Sequence, residues 1–147
     1  MKLSSRADYG TRALLDLADS WGNGPTLLRQ ISQRQQIPLL YLQRLISPLV
    51  AGGIIRSARG AGGGVSLAKP PNEIRLDEVI RLLEGSIAPL ECVDNPDTCD
   101  RSEACVLRDT WSEAGHAMNE VLESTTLQDL AERQREKVQP DEAMYYI

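Results

Sequence analysis

Between residues 60 and 64 the chain reads Gly60-Ala61-Gly62-Gly63-Gly64, four glycines in five positions. Two short strand-like segments flank it, Ile54-Ile55-Arg56-Ser57 and Val65-Ser66-Leu67-Ala68. A run this rich in glycine has no stable place in a helix interior, because each residue keeps too much backbone freedom. Between two β-prone segments it suits a hairpin whose tip approaches something closely. The residues before it have a different period. Leu39, Leu42, Leu45, Ile46, Leu49 and Val50 recur at steps of three and four, which predicts a helix over 38–51 with one face buried. Pro38 suits its first turn, Pro48 removes one backbone bond near its end, and Gly52-Gly53 closes it.

Two further helices precede that one. Ser5 is the expected cap of a helix over 6–20, with Leu14, Leu15, Leu17 and Ala18 on its apolar side and Trp21 to Pro25 ending it. Thr26 is the expected cap of a short helix over 27–35, and Gln36-Ile37 forms the connection to the third. Helix, turn, helix and a glycine-tipped hairpin is the layout of a winged helix. The predicted fold class is therefore mainly α, a winged helix-turn-helix with a small β-hairpin wing, followed by a long dimerisation helix.

Past the hairpin, Asp77 to Glu84 reads as a short helix stopped by Gly85. All three cysteines then fall within fourteen residues, Cys92-Val-Asp-Asn-Pro-Asp-Thr-Cys99-Asp-Arg-Ser-Glu-Ala-Cys105. A helix over 103–123 follows, with Val106, Leu107, Trp111, Ala114, Met118, Val121 and Leu122 on a recurring face. That stripe is wide for one helix on a small domain, and packing against a second copy is its simplest use. Thr126 with Asp129 forms a capping-box pattern for a last helix over 127–137. From these segments we divide the chain into a winged-helix region (1–75), a linking helix with the cysteine loop (76–102), a dimerisation helix with a C-terminal helix (103–137) and a tail without a clear structural signal (138–147).

Charge divides along the same line. The net charge of the 147 residues is −5, yet residues 1–70 carry nine Lys/Arg against three Asp, and residues 71–147 carry seven against eighteen acids. A basic half able to meet phosphate, followed by an acidic half, fits a nucleic-acid binder. No run of about 18 apolar residues exists, so no membrane span is expected. The N-terminus lacks the apolar core of a signal peptide, which points to the cytoplasm. Thiols stay reduced there, and an odd count argues further against a disulfide framework. A single histidine and no Ser/His/Asp set leave little acid–base chemistry, so no enzyme is expected.

The third helix presents Pro38, Leu39, Leu40, Tyr41 and Gln43 in its first turns, with Arg44 next, as candidate groove-contacting residues. Gln43 can pair with adenine through N6 and N7, while Tyr41 and Arg44 suit phosphate or bases. Arg59, beside Gly60 at the wing tip, is the candidate for a narrow minor groove. For the cysteines, Cys-x6-Cys-x5-Cys has no Cys-x2-Cys pair and so matches neither a zinc ribbon nor a dithiol redox motif. Three soft thiolates suit an iron–sulfur cluster, or zinc with His116 or a carboxylate. A metal-free thiol switch is the further reading.

The chain resembles the winged-helix regulators of the IscR, NsrR and CymR group, the Rrf-two superfamily. The matching pieces are Leu3 to Gly10, Ile37 to Leu42, Ala51-Gly52-Gly53-Ile54, Arg59-Gly60 with Gly62 to Gly64, and Cys105-Val106-Leu107-Arg108 with Trp111. The resemblance spans roughly residues 1–130. It implies a homodimeric bacterial transcription regulator, a repressor or an activator, on a double-stranded DNA operator. In cluster-binding members the three cysteines hold an iron–sulfur centre, 2Fe–2S or 4Fe–4S, that senses cluster supply, iron, redox state or nitric oxide. IscR-like members take the fourth ligand from a histidine three residues after the third cysteine. Here that position is Arg108, which cannot ligate. NsrR-like members take it from an aspartate in the first helix of the other subunit, and Asp8 stands at that place. Asp8 also sits three residues after Ser5, where it suits a capping box, so both roles stay open. The other readings are a cluster-free regulator of sulfur metabolism responding to thiol state or a small ligand, and an iron–sulfur carrier with a vestigial helix-turn-helix.

Overall fold

The computed structural model describes residues 2–144, with side chains as far as Val138. Among them are seven α-helices and one two-stranded antiparallel sheet: α1 (Ser5–Asp19), α2 (Leu28–Gln35), α3 (Leu39–Ala51), β1 (Ile55–Ala58), β2 (Gly64–Leu67), α4 (Leu76–Glu84), α5 (Glu91–Asp94), α6 (Val106–Glu123) and α7 (Leu127–Met144). The mainly helical winged-helix architecture matches the expectation.

The cap of α1 is Ser4, one residue earlier than expected, and its hydroxyl accepts from the Arg6 N–H at 3.2 Å. Its partner comes from far along the chain. The Ser4 N–H donates to Glu84 Oε1 at 2.9 Å, and the Ser4 hydroxyl donates to the same oxygen. Glu84 thus serves as the acid of a capping box assembled between two helices. The Ser4 donors hold its carboxyl below the ordinary range. Asp8 is not the capping acid; it pairs with Arg12 one turn on, at 3.3 Å. Gly10 faces α4 so closely that a Cβ there would stand 2.3 Å from Leu83 Cδ1.

Helix α2 is pinned to α1 through Asp16, only 7% exposed, which accepts from Arg34 Nε at 2.9 Å and Nη2 at 2.8 Å. That two-pronged pairing is among the stronger side-chain hydrogen bonds. Thr26 does not cap α2. Leu27 holds the cap position, and its N–H donates to Gln30 Oε1 at 3.3 Å. Thr26 instead exchanges two backbone bonds of 2.8 Å with Val65, forming a third edge on the wing. The turn into α3 places Gln36 in the left-handed region at φ 53, while Ser32 donates its hydroxyl to Ile37 O at 2.6 Å. Pro38 caps α3 rather than opening its first turn. Leu42, Leu45 and Leu49 are buried, Leu39 and Ile46 are half-buried, and Val50 of the expected core stripe is 39% exposed.

In the wing Ile55 pairs with Leu67, Arg56 with Ser66, Ser57 with Val65 and Ala58 with Gly64, each strand about one residue displaced from its expected span. Gly64 has φ +140, and a Cβ there would lie 2.4 Å from Thr26 O. Substituting Gly64→Ala is therefore expected to cost at least about 1–3 kcal/mol, through backbone strain and lost Thr26–Val65 pairing. Urea unfolding checks this, and an unchanged midpoint would refute it.

The C-terminal helix is stitched to the winged helix. Leu76 N donates to Thr125 O at 2.8 Å and Leu127 N to Ile74 O at 3.0 Å. The expected capping box is present, with Thr126 N on Asp129 Oδ2 at 2.9 Å and Asp129 N on Thr126 Oγ1 at 3.1 Å. Leu127 and Ala131 join the same hydrophobic core as Leu14, Leu42 and Leu49. Helix α7 runs to Met144, past the predicted end at 137 and into the segment that carried no signal; residues 145–147 lie outside the described ones. Helix α6 begins at Val106, not 103, because residues 102–104 form a separate 3-10 turn. Not one of its residues is buried; on its expected apolar face Val106 is 76%, Leu107 58%, Val121 63% and Trp111 36% exposed, while Ala114, Met118 and Leu122 are half-buried.

Candidate nucleic-acid interface and cysteine loop

The first turns of α3 and the wing tip stand out from the core as two projections of one framework. Leu42, Leu45 and Leu49 anchor α3 from behind, so its outer face is held by packing. On that face Pro38, Leu40, Gln43 and Arg44 are exposed, with Leu40 at 74%. Leu39 is half-buried. Tyr41 is also half-buried, its ring meeting Tyr9 edge-on at 5.4 Å, so part of its role is to position α3 on α1. Arg59 and Gly60 are exposed at the wing tip, Gly60 with φ +97. The turn is closed by Gly63 N on Gly60 O at 3.0 Å. A Cβ on Gly63 would come 2.5 Å from Ala58 O, which explains a glycine there too.

The cysteine loop is a chain of single turns. Cys92 lies in α5, Cys99 follows the 3-10 turn Pro96–Thr98, and Cys105 is the residue that caps α6. All three are free thiols and half-buried. Ser102, buried at 7%, ties the loop together by donating its hydroxyl to Pro96 O at 2.7 Å. Arg108, the residue three past Cys105, donates from Nε to Cys92 O at 2.8 Å. Its guanidinium therefore fastens the start of the loop to α6. Sequence spacing shows a cation here but not this clamp, because its partner is a backbone carbonyl sixteen residues away.

No three His, Cys, Asp or Glu side chains among the described residues come together as a metal-holding group. The single chain thus does not bring the three cysteines into one ligand set. Asp8 is on α1 with its carboxylate 62% exposed and paired with Arg12. His116 is exposed on α6, on the wall of a cavity that none of the cysteines lines. In kind the donors fit a cluster: three free, soft thiols in one short, half-open loop. A fourth ligand has to come from outside the loop.

A helix presented beside a flexible hairpin, on a rigid helical core, defines a winged-helix DNA-binding protein. Comparison with known proteins makes the class specific. Residues 3–133 match the Rrf2 family model, an iron-dependent transcriptional regulator, and the chain belongs to that family. It is similar to the HTH-type transcriptional regulator CymR of Bacillus subtilis, 40% identical over 131 residues, 89% of this chain and 90% of the relative. A solved structure of CymR, the global cysteine regulator of B. subtilis, matches with a TM-score of 0.76 at 38% identity, covering 90% of this chain and 98% of that one. T. potens IscR matches with a TM-score of 0.78 at 36% identity, covering 93% and 90%. The protein is thus a DNA-binding transcription regulator and not an enzyme. No helix among the described residues is long and apolar enough to cross a membrane.

Proposed function

We propose that this regulator works in the cytoplasm as a homodimer on a pseudo-palindromic operator, with an iron–sulfur cluster on Cys92, Cys99 and Cys105 setting its affinity for DNA. The observation that carries the reading is the loop itself: three free thiols whose last member caps α6. A bound cluster supplies a redox-active, oxygen- and nitric-oxide-sensitive anionic centre. The chain's own residues do the rest. Pro38, Leu39, Leu40, Tyr41, Gln43 and Arg44 meet the major groove, while Arg59 and Gly60 meet the minor groove. The open face of α6 meets its symmetry mate. Arg108 joins the loop backbone to α6, so a change in the loop reaches the helix that sets the spacing of the two reading heads. Asp8 is the candidate fourth ligand, offered to the partner subunit's loop; its pairing with Arg12 is exposed and readily exchanged.

The test is to purify the protein without oxygen and measure visible absorption, iron and sulfide beside Cys99→Ala and Asp8→Ala. A coloured protein with iron matching sulfide, bleached by Cys99→Ala, is the expected result. Asp8→Ala is expected to weaken or shift the absorption while Cys99→Ala abolishes it. A colourless, iron-free protein that still binds DNA would overturn the cluster. The second reading, a cluster-free regulator responding to thiol state or a small ligand, would then stand. It is favoured by the similarity to a protein described as a global cysteine regulator.

A further inference from the structure

Leu40, at the second position of α3, is 74% exposed, more than any other large apolar side chain of the winged helix among the described residues; Leu27, the next, is 54%. Packing does not place it there. Leu42, Leu45 and Leu49 turn the other side of α3 into the core, and Tyr41 turns to Tyr9 of α1 with ring centroids 5.4 Å apart. Leu40 instead shares the outer side with Gln43, Arg44 and Ser47, all exposed. Steps of three and four residues put Gln43 and Arg44 beside it, one turn on. Neither of those two side chains has a hydrogen-bond or ion-pair partner among the described residues. No acidic residue occurs anywhere from Ser20 to Asn72. One large apolar group thus stands in a polar, acid-free surface on a helix that projects from the core. Helix propensity does not call for it, since lysine, glutamine or glutamate would serve a solvated position about as well.

In a major groove the choice of residue matters. Guanine, adenine and cytosine present donors and acceptors at their edges there, and only thymine adds an apolar group, its C5-methyl. Leucine over any of the first three would strip water from polar atoms and leave them unpaired, which costs affinity. Over the methyl it buries apolar surface against apolar surface. We propose that Leu40 is a specificity-determining residue that reads a thymine by its C5-methyl group, within about two base pairs of the pair met by Gln43. The register follows from the helix. Cβ atoms one turn apart are about 5–6 Å from each other, against a rise of about 3.4 Å per base pair. The inference rests on α3 being the groove-reading helix; it does not rest on the cluster.

The probe is a random-sequence DNA duplex library, from which the full-length protein selects its own site. In the selected duplex each thymine is replaced in turn, in both half-sites, by deoxyuridine, which lacks only the methyl group and keeps every hydrogen-bonding edge. At one thymine position the parent protein is expected to lose about fourfold in affinity per half-site, the worth of one buried methyl. Leu40→Ala, too short to reach the methyl, is expected to bind the thymine and deoxyuridine duplexes equally. Its fold is expected to hold, because the removed atoms lie in water and alanine is a good helix former; circular dichroism checks this. Selection is repeated with Gln43→Ala, and the sensitive thymine is expected within about two base pairs of the position that this variant relaxes. Deoxyuridine without effect at every position, or the same loss in Leu40→Ala as in the parent, would overturn the proposal. So would a sensitive thymine farther from the position that Gln43→Ala relaxes. If Gln43→Ala changes the selected sequence while deoxyuridine is neutral, α3 remains the reading helix and the role of Leu40 alone fails. If neither has an effect, the placing of α3 in the groove fails with it.

Discussion

Leu107→Glu is expected to turn the protein into a monomer and to weaken operator binding by about 1000-fold. Helix α6 has eighteen residues and none is buried, although its apolar face carries Val106, Leu107, Trp111 and Val121 at 36–76% exposure. A soluble monomer rarely leaves such a continuous apolar patch in water. Covering it contributes roughly 25 cal/mol per Å² of apolar surface. A twofold axis places each substitution in the contact twice. Burying an unpaired carboxylate costs several kcal/mol, and about 4 kcal/mol corresponds to about a 1000-fold change. Leu107 contributes nothing to the core of the reading head, so helix content and thermal unfolding of the monomer should stay close to those of the parent. Sedimentation velocity and a gel shift at fixed salt are the measurements. A dimer that persists in Leu107→Glu would show that α6 is not the contact between copies.

Arg59→Ala is expected to lower specific operator affinity by about 1–3 kcal/mol per half-site, which is about 5- to 150-fold. Gly60 at φ +97 and the close turn from Gly60 to Gly63 hold Arg59 at the tip, exposed and away from any carboxylate pairing among the described residues. A free guanidinium on a narrow hairpin suits the electronegative minor groove. Removal should spare the dimer, because α6 is remote in sequence and the wing strands pair with each other and with Thr26. Binding to unrelated DNA should fall much less, since most of that term is spread over many phosphates. Equal affinity of Arg59→Ala and the parent for the operator would remove Arg59 from the interface.

The legible parts of the chain are those with local signals. Period-3.6 leucines in α3, four glycines between β-prone residues, and the Thr126–Asp129 box each encode their structure within a few residues. The winged helix followed from them, as did the long α6 with its apolar stripe. The misreadings concern residues whose partner is distant. Ser5 looked like a cap, yet Ser4 caps α1 because Glu84 of α4 receives both of its donors. Thr26 looked like another cap, yet it pairs with Val65 of the wing. Asp8, open in the sequence between a capping acid and a cluster ligand, makes a local ion pair with Arg12 one turn on. The end of α7 was missed because its C-terminal part lacks a clear apolar stripe to announce a helix.

By itself the amino-acid sequence determined the class of protein: three helices and a glycine hairpin in order, a basic first half, and three thiols in one loop before a helix with an apolar face. Such features rest on spacing along the chain, which side-chain periodicity and backbone freedom convert directly into local structure. Only the tertiary structure decided how those pieces are held and what they leave open. It set the Asp16–Arg34 pairing that fixes α2 on α1, the clamp of Arg108 on the Cys92 carbonyl, and the pairing of Arg81 on α4 with Glu123 on α6. Each of these joins residues from separate elements, so no local pattern announces it. Their geometry exists only after burial of the shared core has brought the helices together.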